Sequence, residues 1–358
     1  MQILFSLITI VLYFAITYYL GWNLRKWLQS FGIMKSSKIF WIVLYFISIS
    51  PFLGFAFKSL WFLKVIGSYW MFFFEYGLLI CLAVNLLMLI PNFRNIKVVG
   101  SIAVAGLITL FAVGTYFAYT PTTREITLEI DKEGEPMRIV MASDFHIGIL
   151  SGKGHLQRFV ELSNKAEPDI VLLSGDIIDD DPKWFIKDNM HEVMLQLDTK
   201  YGVYGALGNH EYYGDEIDLF VEEMAKSNVQ ILMDETVSIN NQFYLTGQED
   251  LTNENRKPIG QLKPEDQTKP WIVMNHTPVE LEEAAKEKVD LIVSGHTHRG
   301  QMWPNNYITE WLYEIDYGHG IFDEMHAIVS SGFGFWGPPT RIGSQAEIWI
   351  IDLKFKAS

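Results

Sequence analysis

The chain has a single cysteine, Cys81, among 358 residues, which excludes a disulfide framework and leaves the redox compartment unread. Residues 1–119 hold one acid, Glu75, against eight Lys and Arg. No Lys or Arg precedes the first apolar stretch, and that stretch lacks a small-x-small cleavage site. A cleaved signal peptide is therefore excluded, and the segment reads as a retained anchor. After residue 119 the shortage reverses, with twenty basic and forty-one acidic residues. So acidic a domain has no broad basic face, which excludes nucleic acid as a partner. Contact with anionic headgroups is then expected only through the basic loops of the first part. Internal repeats are also absent.

What residues 1–119 do contain is long apolar sequence. Four stretches, about Gln2 to Leu20, Ile39 to Phe57, Gly67 to Ile90 and Val98 to Tyr119, reach the roughly 20 residues a helix needs to cross a bilayer. The expected organisation is a four-helix transmembrane anchor over 1–119 and a soluble domain over 120–358. Pro51 and Glu75 interrupt the pattern; neighbouring groups can re-satisfy a carbonyl freed by proline, and Glu75 reads as interfacial. Arg25, Lys26, Lys35 and Lys38 follow the first span, Lys58 and Lys64 the second, and Arg94 and Lys97 the third. Positive-inside counting, six against two, puts both termini and the acidic domain outside the cytoplasm of a multi-pass membrane protein.

In the acidic domain short apolar runs alternate with helical patterns, which implies a layered α/β fold. Strands are expected at Ile126–Ile130, Arg138–Ala142, Ile170–Ser174, Val203–Leu207, Phe243–Thr246, Trp271–Met274, Leu291–Ser294, Ala327–Ser330 and Glu347–Leu353. Helices are expected at Gly154–Ala166, Lys183–Leu197, Asp215–Ser227 and Pro278–Lys286. Asn253 to Lys269 reads as an exposed loop.

Polar motifs stand directly after five of these apolar runs. They are Asp144-Phe145-His146, Gly175-Asp176-Ile177-Ile178-Asp179, Gly208-Asn209-His210-Glu211, Asn275-His276 and Gly295-His296-Thr297-His298. Ligands gather beyond the carboxyl ends of strands in α/β sheets, so the motifs are expected at one edge. Each is weak alone, since a lone Gly-Asp is commonly a turn. Together they hold five of the nine histidines beside carboxylate and amide oxygens. That donor mixture suits Mn, Fe or Zn better than Ca or Mg, with Mn the first expectation. Two such ions side by side cleave phosphoesters.

The ordered motifs, with the run from Ser294 to Gln301 and that from Ser330 to Gly334, resemble the calcineurin-like metallophosphoesterase superfamily, in its bacterial membrane-anchored branch. The resemblance covers roughly Ile139 to Leu353. It implies a four-layer αββα sandwich with two divalent metal ions. It makes Asp144, His146 and His298 ligands of one ion and Asn209, His276 and His296 ligands of the other, with Asp176 bridging. His210 corresponds to the catalytic histidine near the leaving oxygen, and Asp179 is expected to orient His210 or an adjacent ligand through its ring N–H. A water bridging the metals, ionised near neutral pH, would attack the phosphorus. Asp180 departs from a frequent arginine and Arg299 from a frequent glycine.

Arg299 is expected either to hold a phosphate oxygen or to face solvent, and Arg341 either to clamp an anionic substrate or to form a salt bridge. Trp303, Phe333, Phe335 and Trp336 are candidates to seat an acyl or prenyl chain. The function expected is a membrane-bound phosphohydrolase acting on a phosphoester or pyrophosphate of a lipid-linked or envelope substrate. The alternatives are an enzyme like UDP-2,3-diacylglucosamine diphosphatase with a cytoplasmic domain, and a non-catalytic scaffold.

Overall fold

A computed structural model describes residues 2–33, 37–57 and 59–356. Lys35 and Lys58 of the topology count lie outside the described residues. The chain forms two compact units, Met1–Thr115 with Gly337–Thr340, and Tyr116–Trp336 with Arg341–Ser358.

The first unit is built from α1 (Gln2–Ser30), α2 (Lys38–Ala56), α3 (Trp61–Leu87) and α4 (Ile96–Tyr119), each long and apolar enough to span a membrane. In hydrocarbon a helix satisfies its own backbone, and sparse polar side chains then join helices. Trp70 Nε1 donates to the Tyr13 hydroxyl (2.7 Å), which donates to the Ser48 carbonyl (2.5 Å), linking α3, α1 and α2. Asn85 Nδ2 donates to the Tyr19 hydroxyl (2.6 Å) and to Asn23 Oδ1 (3.0 Å). Gly67 lets α3 approach the backbone of α2 at Pro51, whose Cα would lie 2.7 Å from any added Cβ. The helices run longer than their apolar cores. Arg25 and Lys26 continue α1, and Lys64 lies in the first turn of α3. Glu75 falls near the middle of α3, not at the end that an interfacial position requires.

The second unit contains strands β1 (Thr122–Glu133), β2 (Met137–Ala142), β3 (Ile170–Ser174), β4 (Val203–Ala206), β5 (Val229–Ile231), β6 (Glu235–Ile239), β7 (Phe243–Gln248), β8 (Trp271–Asn275), β9 (Leu291–Ser294), β10 (Gly318–Phe322), β11 (Met325–Val329) and β12 (Glu347–Lys356). They make two six-stranded sheets, ordered β1-β12-β2-β3-β4-β5 and β10-β11-β9-β8-β7-β6. Strands β2 to β5 run parallel in the first, and β7, β8, β9 and β11 in the second. The central strands are buried on both faces, which is why β3, β8 and β9 read as unbroken apolar runs.

Alternate residues of each strand go to different cores. Ile139, Met141, Ile170 and Leu172 of the first sheet meet Leu245, Ile272, Met274 and Val293 of the second in a core between the sheets. Val140, Ala142, Val171 and Leu173 point the other way, onto helices α5 (Lys153–Lys165), α6 (Lys183–Lys187), α7 (His191–Met194), α8 (Asn209–Gly214) and α9 (Ile217–Lys226). On the outer face of the second sheet, Trp271, Val273 and Ile292 pack on α10 (Leu281–Lys286). The expected αββα layering is present, and α11 (Asn306–Leu312) follows the last motif.

Three differences from the sequence reading have local causes. The helix expected over Lys183–Leu197 is two short ones, because Asn189 takes a positive φ of 48°. Strands β5, β6 and β10 were not expected; they are short, and β6 and β10 are sheet edges with only partial burial. The segment from Asn253 to Lys269 is not simply an exposed loop, since Ile259 and Leu262 are buried in the α10 core.

Candidate metal centre

Strands from both sheets end at one place. Asp144 follows β2, Asp176 follows β3, Asn209 opens α8 after β4, His276 follows β8 and His296 follows β9. Immediately past these ends the backbone is unusual. Asp144, His146, Asp176, His296 and His298 have φ of 54°, 44°, 50°, 69° and 49°. Non-glycine residues rarely sit there, and each such position costs on the order of 1–3 kcal/mol unless its surroundings enforce it. The surrounding sheets supply that enforcement, and the result is three sharp turns, after β2, β3 and β9, that throw polar side chains inward. The motif glycines serve the same crowding: Gly175 has φ 82°, and a Cβ on Gly295 would collide with the Asp144 carboxylate.

Seven side chains form two donor sets. In one, His146 Nε2 and His298 Nε2 are 3.0 Å apart, with Asp144 Oδ1 3.4 Å from His298 and Asp176 Oδ2 3.7 Å from His146. In the other, His276 Nε2 lies 3.2 Å from both Asp176 Oδ2 and Asn209 Oδ1, and His296 Nδ1 lies 2.9 Å from Asn209 Oδ1. Asp176 Oδ2 belongs to both. Six of the seven are buried, and His296 is nearly so.

This donor chemistry fits cations. His276 Nδ1 donates to the Ser174 carbonyl (2.8 Å), so Nε2 confronts a carboxylate and an amide oxygen with its lone pair. Burial opposes charge on His276, yet Asp176, Asp144 and Asp250 raise it well above an ordinary histidine, so a proton settles there. A divalent ion would supply that positive charge to several donors at once. Burial holds His146 and His298 well below the usual range, as neutral imidazoles suited to ligation. Burial also pushes Asp144 up to about 6, although the His276 charge, the Ser143 hydroxyl and the His296 amide act against it.

The stretch 137–300 matches the family model for calcineurin-like phosphoesterases. An uncharacterized metallophosphoesterase of Aquifex aeolicus is 30% identical over 254 residues, which cover 68% of this chain and 95% of that protein. The chain belongs to the calcineurin-like phosphoesterase family. An uncharacterized metallophosphoesterase of Campylobacter jejuni is 31% identical, and the aligned region covers 66% of this chain and 64% of that relative. A Bos taurus transmembrane protein with metallophosphoesterase domain is 28% identical over 73% of this chain and 64% of its own length. The chain thus spans slightly less than two thirds of these two relatives, and membrane association is common ground with the second.

In this calcineurin-like domain the remaining candidates fall differently from expectation. His210 Nδ1 donates to Asp180 Oδ1 at 2.7 Å, while Asp179 Oδ1 is 3.7 Å away. Asp180, noted in the sequence only as a departure, is the closer partner. Burial disfavours a charged His210, but the Asp180 bond and the charges of Asp176, Asp179 and Asp180 lift it to about 9. Its backbone N–H donates to Asp176 Oδ1 (2.9 Å).

Arg341 is not an exposed clamp, and it forms no salt bridge among the described residues. It is wholly buried, donates from Nε and Nη2 to the Gly334 carbonyl (3.0 and 2.6 Å) and from Nη2 to the Gly332 carbonyl (3.1 Å), and approaches His298 Nδ1 at 3.3 Å. It braces the loop against which Asp144 and His298 rest. Arg299 stacks on Tyr317, its guanidinium 4.5 Å from the ring centre. Phe333 and Phe335 are buried, Phe333 against Phe145 and Phe159, and cannot seat a chain; Trp303 and Trp336 remain about half exposed. Around the opening, Trp336 and Tyr213 face His210 and Tyr313 faces His296.

Glu211 was not singled out by its residue type. Its carboxylate accepts the backbone N–H groups of Gly208 (2.7 Å), Asp176 (3.1 Å) and Ile178 (3.1 Å), tying the turn after β3 to the start of α8. A glutamate three residues after a helix N-cap was the available signal, since that spacing returns a carboxylate to the backbone.

Proposed function

We propose that the chain is a membrane-anchored, metal-dependent phosphohydrolase acting on a phosphoester or pyrophosphate of a lipid-linked or envelope compound. A four-helix anchor over 1–119 carries the hydrolase over 120–358. The observation that carries this reading is one carboxylate, Asp176, shared by two donor sets, with His210 bonded through its backbone N–H to the same carboxylate. Asp144, His146, His298 and Asp176 would hold one divalent ion, and Asp176, Asn209, His276 and His296 the other. Bound there, the ions would supply Lewis acidity and an activated water for phosphoryl cleavage.

The chain's own groups do the rest. Asp180 takes the Nδ1 proton of His210 as a hydrogen bond, which leaves the Nε2 proton for the oxygen that departs from phosphorus. Asp179 and Asp180 keep that proton in place near neutral pH. A scaffold would have no use for so raised a histidine beside a complete donor set. Half-exposed Trp336 and exposed Tyr213 at the opening favour a substrate with an apolar portion. The mixed imidazole and oxygen donors favour Mn, Fe or Zn over Mg, and Mn is the first ion to test. Positive-inside counting favours an extracytoplasmic hydrolase, which disfavours a cytoplasmic nucleotide-linked lipid as substrate.

The test is activity of the purified full chain toward a generic aryl phosphodiester after chelation and re-addition of metals. We expect loss with chelator and recovery with Mn²⁺ greater than with Mg²⁺. Full activity in excess chelator refutes the proposal. Lipid extracts from cells with and without the enzyme then identify the phosphorylated compound that accumulates.

A further inference from the structure

Composition alone leaves the acidic domain without a basic face, yet the fold brings two of its few arginines to one cleft. Arg124 of β1 and Arg299, next to His298, line an open cavity of about 260 Å³ with Tyr317, Ser344, Gln345 and Phe117. The cleft is built around a buried anchor. Glu347 is 1% exposed; its Oε1 accepts from Ser331 N (3.0 Å) and Trp349 Nε1 (2.8 Å), and its Oε2 from Arg124 Nε (3.2 Å) and the Tyr317 hydroxyl (3.1 Å). Glu347 therefore orients Arg124 through Nε alone, and its terminal guanidinium nitrogens make no hydrogen bond among the described residues. The Arg299 guanidinium, held flat on Tyr317, has no ion-pair partner among them. Two cations against one buried carboxylate leave the cleft positive inside a strongly acidic domain.

We propose that this cleft is a docking site for the phosphodiester headgroup of an anionic membrane lipid. The planar donors of two guanidinium groups suit phosphate oxygens, and the second amide N–H of Gln345, whose first donates to the Thr120 carbonyl (2.7 Å), adds a neutral donor. The cavity is smaller than the roughly 300 Å³ at which sites begin to engulf a drug-sized ligand. It accommodates a headgroup, with the acyl chains outside. The lipid source, as opposed to free phosphate, follows from the walls. Phe117 belongs to the last turn of α4, the helix that leaves the bilayer. Trp303 lies against Gly343, another residue of the cleft, and is followed by α11, where Trp311 is 82% and Leu312 59% exposed. Exposed tryptophan and aliphatic side chains beside cationic groups suit the headgroup layer, where an apolar edge and a polar edge are both satisfied.

The test uses the metal-loaded full chain in nonionic detergent, titrated with dioctanoyl phosphatidylglycerol, dioctanoyl phosphatidylcholine and inorganic phosphate, with bound lipid counted by native mass spectrometry. An arginine near anionic lipid contributes about fivefold in affinity. Arg124→Gln and Arg299→Gln should each weaken phosphatidylglycerol binding by about that factor, and the double variant by about thirtyfold, with phosphatidylcholine binding unchanged. Gln345→Glu, which leaves the Arg124 to Glu347 pair intact, should also weaken it and serves if the arginine variants misfold. Unchanged phosphatidylglycerol binding in variants with native metal content and melting temperature overturns the proposal. So does displacement of the lipid by equimolar phosphate. Neither outcome depends on turnover, so failure here leaves the hydrolase reading standing.

Discussion

His210 is the residue whose chemistry is most constrained by its neighbours. Burial works against its charge, and three aspartates work for it. Because its pKa is raised, the charged form needed to protonate a leaving oxygen is present below that value and is lost as pH rises through it. The alkaline limb of kcat should therefore fall at or below about pH 9, below rather than above because bound cations disfavour a nearby positive charge. Asp180→Asn removes one negative partner and should move that limb to lower pH, a shift that a pH profile of kcat reads directly. His210→Ala should lower kcat by roughly 10²–10⁴ while metal analysis still finds both ions. An empty His210→Ala protein would make His210 a ligand and refute its assignment as the acid.

At the scale of elements, the site depends on how strand ends are held together across two sheets. Glu211 joins the turn after β3 to the start of α8 through three backbone N–H groups. Glu211→Ala should leave those buried donors without an acceptor, at roughly 1–3 kcal/mol each. Chemical denaturation should show the loss, and metal analysis should show weaker retention, because Asp176 and Asn209 sit on the two segments that separate. Because the variant binds the ions less tightly it gains less stability from them, so the deficit should be larger with metal present and smaller after chelation. A comparable dependence runs through Phe145, which lies between Asp144 and His146 and packs edge-on against Phe159 of α5, ring centres 4.8 Å apart. Phe159→Ala should cost about 3–5 kcal/mol, read as a lower unfolding midpoint.

For the whole molecule the side of the membrane on which the metallophosphoesterase domain lies is testable from charge. Six basic residues after the first and third spans against two after the second predict, by positive-inside counting, a domain away from the cytoplasm. Protease added to sealed, right-side-out vesicles should digest the region after Tyr119 and spare the four helices. Protection of that region until the vesicles are opened would reverse the topology and make a cytoplasmic nucleotide-linked lipid the better substrate. The C-terminal turn of α4 is a further whole-molecule feature. The Phe117 carbonyl accepts from Ala346 N (3.1 Å), the Thr120 carbonyl from Gln345 Nε2 (2.7 Å), and Tyr119 packs on Phe335. The end of the last apolar helix thus belongs to the second compact unit, which begins at Tyr116, ahead of the composition boundary at residue 120.

The sequence by itself determined the four apolar helices, the layered α/β class and the ordered donor motifs. These are written locally: burial on both faces of a strand demands an unbroken apolar run, and ligands beyond strand ends demand polar residues directly after it. The grouping of donors could be named from family resemblance, but only the tertiary structure decided how they meet, through five positive-φ residues in three turns that no residue type announces. It also decided that Asp180 rather than Asp179 is the nearer partner of His210, that Arg341 is a buried brace, and that Phe333 is core. Those outcomes depend on a few ångströms of side-chain placement after two sheets have packed. The cleft of Arg124 and Arg299 is the extreme case, since its arginines are 175 positions apart and composition counts only total charge, never where folding gathers it.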